Sequence, residues 1–190
     1  FNLSPLNEGW FVGSALLGCM GGVAFAGIIA DSFGRKKTLI LSSLLLLVSA
    51  VGCTIPHTMN TLIIFRLTGG VGVGIASMMS PLYISEISSP ADRGKMVSLY
   101  QFAITIGILS AYFVNSKLLT ISLSSNYASE SFFGFIINSE VWRSMFGSES
   151  IPALIFFILL LAIPESPRWL MTKNKSENAL YVLNKLHDKE

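Results

Sequence analysis

Apolar residues gather into long runs along this chain, and polar residues are confined to short segments between them. Residues 10–30 contain no charge, 38–55 form a second uncharged run, and 151–163 are uncharged and largely aliphatic. Roughly 18 or more such residues are enough to cross the hydrocarbon core of a bilayer as a helix. The pattern predicts five membrane helices, over 8–30, 38–55, 60–84, 95–118 and 141–163. Two such helices would fit inside a soluble core. Five in 190 residues leave no polar surface to wrap them, so the expected class is an all-α membrane protein.

The composition agrees: 52% of the residues are hydrophobic and 13% charged, about half the charge of a soluble domain. A net charge of +2 is too small to suggest a nucleic-acid partner. Cys19 and Cys53 fall within apolar runs and read as small packing residues, not as a disulfide or metal site. No His/Asp/Ser or metal-ligand constellation points to an enzyme or a cofactor, and His57 and His187 are expected on opposite sides of the membrane. The chain opens at Phe1 with no basic flank of the signal-peptide kind, and is expected to begin inside a longer protein.

Charge position sets the orientation. Segments 31–37, 85–94 and 164–190 share one side of the predicted bundle. They contain or adjoin Arg35, Lys36, Lys37, Arg93, Lys95, Arg168, Lys173, Lys175, Lys185 and Lys189, against Lys117 alone on the other side. Basic residues accumulate on the cytoplasmic side, so these segments are expected there. Residues 1–163 then form the transmembrane part and 164–190 a cytoplasmic helical part. Within the latter, Ser176 suits a helix cap, and Ala179, Leu180, Leu183 and Leu186 would form one apolar face. The Ser/Asn-rich stretch 119–140, with its apolar patch at 132–137, is expected along the outer interface.

Small residues mark close helix packing. Gly18 and Gly22 are four apart, as are Gly70 and Gly74, and glycines let helix backbones approach in lipid. Ordinary packing and a helix that slides or bends both fit. In "GIIADSFGRKK", residues 27–37, Gly34 permits a tight turn, Asp31 sits at a helix end, and Arg35, Lys36 and Lys37 can anchor the next helix at anionic headgroups. The spacing G-x-x-x-D-x-x-G-R-[KR] is similar to the segment between helices two and three of the major facilitator superfamily. Ser32 departs from it, standing where that superfamily usually has Arg or Lys.

The resemblance sharpens further along. Arg66-x-x-x-Gly70-x-Gly72-x-Gly74, Tyr83-x-x-Glu86, Arg93-Gly94, Gln101-x-x-x-x-x-Gly107, "VWRSMF" at 141–146 and "PESPRWL" at 164–170 resemble, in order and spacing, the sugar porter family. "SALLGCMGG", "SMMSPLYISE" and "GSESIPALIF" are most similar to its bacterial xylose–proton symporter branch. The resemblance implies a twelve-helix fold in two six-helix halves. This chain would be a fragment of the N-terminal half, supplying helices two to six and short cytoplasmic helices. The first helix and the C-terminal half would be its missing partners, and a bilayer, the inner membrane if the source is bacterial, its setting.

Three sets of residues carry the expected function. Gln101 lies roughly 10 Å into its helix, with Ile104 and Thr105 on the same face. A mid-membrane amide is costly unless bonded, and it offers both donors and an acceptor. An interhelical bond or a ligand would satisfy it; the resemblance implies a sugar. Arg66 sits near the outer end of an apolar span. It either snorkels to headgroups or faces an acid, and the resemblance implies an aspartate on the first helix and proton coupling. A guanidinium stays charged, so the acid is the group that titrates. Asp31, Arg35, Glu86, Arg93, Glu165 and Arg168, around the Gly34 turn, are either solvated loop charges or, as the resemblance implies, a cytoplasmic gate network. Glu149 and Arg143 are expected to pair with polar neighbours. The expected function is monosaccharide transport across the membrane by alternating access, as proton-coupled symport of a pentose or hexose such as xylose or glucose. A proton-independent uniporter and a transporter-like sugar sensor are the alternatives.

Overall fold

The structure is a computed structural model that describes residues 5–55, 58–124 and 140–187. The patch expected at 132–137, His57 and Lys189 lie outside these residues, as do the side chains of Leu186 and His187. The helices are α1 (Pro5–Phe33), α2 (Arg35–Gly52), α3 (Met59–Ile87), α4 (Arg93–Ser124), α5 (Val141–Ser148), α6 (Ser150–Ala162), α7 (Pro167–Thr172) and α8 (Ser176–His187). Among the described residues, four stretches are long and apolar enough to cross a membrane: Asn7–Phe33, Met59–Ile87, Arg93–Leu123 and Val141–Ala162.

The helix predicted over 38–55 has the expected length but lies three residues earlier, at Arg35–Gly52. α2 has 18 residues and opens with Arg35, Lys36 and Lys37, so its uncharged part falls short of the roughly 20 residues of a straight span. The expected loop at 31–37 shrinks to one residue. Gly34 has φ +104°, a conformation that side chains disfavour, and this lets α1 end and α2 begin without a connecting segment. α2 then packs against α3 and α6.

α1 and α3 run side by side in the same direction, and their glycines interlock. A Cβ at Gly18 would strike the Leu67 carbonyl, and one at Gly22 the Val71 carbonyl. From the other side, a Cβ at Gly70 would strike the Ala15 carbonyl and one at Gly74 that of Cys19. Such backbone contact is how helices gain dispersion energy in lipid, where apolar side chains gain little by leaving the surroundings. Towards the basic end of the bundle, Ala26, Ala30, Leu39, Ile75, Met79, Tyr83 and Leu160 form the buried core. Buried Ser14, Ser42 and Ser43 donate to carbonyls three residues back in their own helices, so they pack without an interhelical partner.

The span expected over 141–163 is one stretch, Val141–Ala162, whose hydrogen-bond ladder breaks at Glu149. Pro152 has no N–H for the Ser148 carbonyl, and the chain divides into α5 and α6 at Glu149. Ser150 Oγ donates to the Gly147 carbonyl at this break. α4 stands apart. It touches α3 and α5, yet residues 101–114 are exposed throughout.

After α6, Ser166 caps α7 by accepting from Trp169 N at 3.3 Å, with Pro167 in the first turn, where its missing N–H costs nothing. Trp169 and Leu170 then bury Ala179 and Val182 of α8. The apolar face expected on α8 is therefore corrected: Leu180 and Leu183 are exposed, because α7 covers the neighbouring stripe. α8 begins at Ser176 itself.

Gly70→Ala is expected to lower stability by about 1–3 kcal/mol through overpacking, seen as a lower thermal unfolding midpoint in detergent. Gly21→Ala, where a Cβ meets no atom within 4 Å, should leave the midpoint in place. Equal midpoints for the two would mean that α1 and α3 separate without cost.

Candidate functional site

The polar groups divide between the two ends of the bundle. At the basic end, Glu86 closes α3 with its side chain only 2% exposed. A carboxylate so placed needs partners. Arg35 supplies two, from Nε to Oε2 at 3.2 Å and from Nη2 to Oε1 at 3.4 Å. Ser166 Oγ donates to Oε2 as well, so one hydroxyl caps α7 and serves Glu86. Arg35 Nη1 reaches back to Asp31 Oδ1 at 3.0 Å, an exposed contact of lesser weight.

Glu165 has a different task. Gly34 has no side chain with which to cap α2. Glu165 Oε1 does so from a distance, accepting from Lys36 N at 3.0 Å and from Ser166 N at 2.9 Å. Its negative charge also lies at the positive end of the α2 dipole. A Cβ at Gly34 would collide with Glu165 Oε2, so glycine is needed there for space as well as for φ. Trp169 Nε1 donates to the Asp31 carbonyl at 3.1 Å, and Tyr83 OH to the Pro164 carbonyl at 2.8 Å.

Two expected members of this network stay out of it. Arg93 Nε donates to the Ser85 carbonyl at 3.0 Å, which closes the α3–α4 turn by satisfying a helix-end acceptor. Arg168 is exposed. Neither forms an ion pair with a described residue, whereas Arg35 does so with both Asp31 and Glu86.

At the opposite end, Arg66 projects from α3 into a cavity of about 290 Å³. Its Nε is buried and has no hydrogen-bond partner among the described residues. The guanidinium carbon lies 4.5 Å from the Phe11 ring centroid and 5.3 Å from that of Phe146. Ser49, Cys19, Cys53 and Glu149 line the same cavity. Glu149 arrives there because the helix breaks beside it, and the signal was present in the sequence as Pro152 three residues on. Arg143 is buried nearby. It binds the Glu140 carboxylate and donates from Nη1 to the Thr54 carbonyl at 2.6 Å, tying α5 to the end of α2.

The third set lies on the open helix α4. Gln101, Ile104 and Thr105 are all exposed. Thr105 Oγ1 turns back to the Gln101 carbonyl at 3.2 Å, while the Gln101 amide has no hydrogen bond to a described residue. The interhelical bond considered for it is absent among these residues.

Residues 2–190 match a family model described as sugar (and other) transporter. The arabinose-proton symporter of Bacillus subtilis (strain 168) is 38% identical over 187 residues, covering 98% of this chain and 38% of that relative. The D-xylose-proton symporter of Escherichia coli (strain K12) is 40% identical over 196 residues, covering 94% of this chain and 38% of the relative. Among solved structures, the MFS (major facilitator superfamily) proton:xylose symporter XylE bound to 6-bromo-6-deoxy-D-glucose matches with a TM-score of 0.85 at 38% identity, covering 98% of this chain and 42% of that one. The inward open conformation of the xylose transporter XylE from E. coli matches with 0.81 at 39%, covering 98% and 44%. The chain thus spans well under half the length of these relatives.

Glu86→Ala is expected to cost about 3 kcal/mol, the scale for leaving a buried ionic partner unpaired, measured by thermal unfolding in detergent. Glu165→Gln should cost less, about 1 kcal/mol, because the amide oxygen still accepts from α2. An unchanged Glu86→Ala midpoint would mean that Arg35 finds an equal partner elsewhere.

Proposed function

The chain belongs to the family of sugar (and other) transporters and folds as part of a major facilitator protein, and on that premise we propose that it supplies helices two to six of a proton-coupled monosaccharide transporter. Residues 1–163 form the membrane part and 164–190 the cytoplasmic helical part. Segments 31–37, 85–94 and 164–190 face the cytoplasm of a bacterial inner membrane. A first helix and a second half complete the molecule around α4.

The observation that carries this reading is Arg66, a permanent charge whose buried Nε lacks a hydrogen-bond partner among the described residues, at a cavity shared with Glu149. A carboxylate entering that cavity, from Glu149 or from the first helix, pairs with Arg66 while ionised and releases it when protonated. That couples a proton to a conformational step. On α4, Gln101 offers the donors and the acceptor that sugar hydroxyls require, with Ile104 and Thr105 beside it. At the basic end, Asp31, Arg35 and Glu86 bias one of the two access states, held around Gly34 and Glu165. Arg93 and Arg168 act through partners in the second half. A network of this kind need shift the balance by only a few kcal/mol.

The test uses the complete transporter in liposomes, with labelled xylose and glucose. An inward proton gradient is expected to drive accumulation above equilibrium. Arg66→Leu should abolish that accumulation while leaving sugar binding, and Gln101→Ala should weaken binding about tenfold. Uptake that only equilibrates at every pH would make the protein a uniporter. Binding without uptake would make it a sensor.

A further inference from the structure

The proposed coupling leaves one cost unexplained. Once its carboxylate is protonated, Arg66 keeps its charge, and a half-buried guanidinium without an anion is unfavourable in lipid. Two aromatic rings answer this. Phe11 comes from α1 and Phe146 from α5, and both lie within cation–π reach of Arg66 on α3, at 4.5 and 5.3 Å. They also hold one another, edge to face with centroids 6.3 Å apart. Phe146 is fixed from behind by Trp142, at 6.4 Å and 77°, and the Trp142 ring carries Arg143 at 4.7 Å. The cradle is thus braced through α5 to the Arg143–Thr54 bond.

We propose that Phe11 and Phe146 are positioning residues for proton coupling: their ring faces hold the Arg66 guanidinium when no carboxylate does. The inference rests on the reading that Arg66 meets a titrating acid. A phenyl face attracts a cation yet brings no charge and takes no proton, so it stabilises the released arginine without competing for the proton. The titratable groups that share the cavity are Glu149, between α5 and α6, Cys53 at the end of α2 and Cys19 on α1. Glu8 lies one turn before Phe11 on α1, and Arg143 is occupied by Glu140.

The sign follows from linkage. The rings favour the state with a protonated acid and a released Arg66, so they favour proton uptake. Without them that state is less stable, and the acid protonates only at lower pH. Replacing a ring by leucine should therefore move the alkaline limb of proton-driven uptake towards lower pH. The expected displacement is about half a pH unit or more.

The experiment measures labelled xylose uptake against pH in liposomes for the complete transporter, Phe11→Leu, Phe146→Leu and Phe146→Tyr. Both leucine variants should shift the midpoint down, and the tyrosine, which keeps a ring face, should restore it. A merely structural loss would lower uptake at every pH and leave the midpoint where it was. That outcome overturns the cradle while the wild-type profile still titrates. If Phe146→Leu fails to assemble, Phe11→Leu on the other helix decides by the same criterion. A wild-type profile indifferent to pH removes the coupling reading itself, and the cradle with it.

Discussion

Glu86 places a carboxylate where 2% of its side chain meets solvent, and the basic end of the bundle is arranged to keep it satisfied. Arg35 must turn inward to reach it, so α2 must begin immediately after α1. That requires Gly34 at positive φ. A helix beginning on glycine lacks its own cap, and Glu165 comes from beyond α6 to provide one. Bringing Glu165 in also brings Ser166, which serves Glu86 and starts α7. Burying one charge at this end thus fixes the ends of α1, α2, α3 and α6 relative to one another.

The opposite end follows another logic. There Arg66 Nε has no hydrogen-bond partner among the described residues, and on α4 the Gln101 amide likewise stands open on an exposed helix. Buried polar groups in folded proteins are almost always bonded, so unmet ones mark places where something else arrives. The interlocked α1 and α3 give these groups a firm base, since neither helix can shift without moving a glycine off a carbonyl. Satisfied charge and unsatisfied charge sit on one stiff pair of helices.

Much of this was legible in the residues. Long uncharged runs mark the helices because lipid demands them, and Gly34 between Asp31 and Arg35 marks the reversal. Arg66 already looks unpaired in sequence. The Ser166-Pro167 step is a helix start by chemistry alone. Other features depend on three-dimensional neighbours. Nothing local says that Arg93 closes a turn while Arg35 forms the ion pair, since both are arginines at helix ends. The buried stripe of α8 follows from where Trp169 lands, and the pattern of Leu180 and Leu183 pointed one position round. Pro152 marks the break in the hydrogen-bond ladder, inside an apolar run long enough to read as one span. The same break carried Glu149 to the cavity, and with it a group for which sequence offered only an unspecified polar neighbour.

The cap on α2 has a consequence for how the chain is made. Glu165 lies 129 residues after Lys36, so a ribosome must complete α6 before this reversal can be locked. Until then the Gly34 corner has no carboxylate on its amides and Glu86 has no serine. A product cut short before this segment would insert its helices and still carry an unlatched corner. That corner, with open α2 amides and a Glu86 short of one donor, is where such a product would differ from the finished chain.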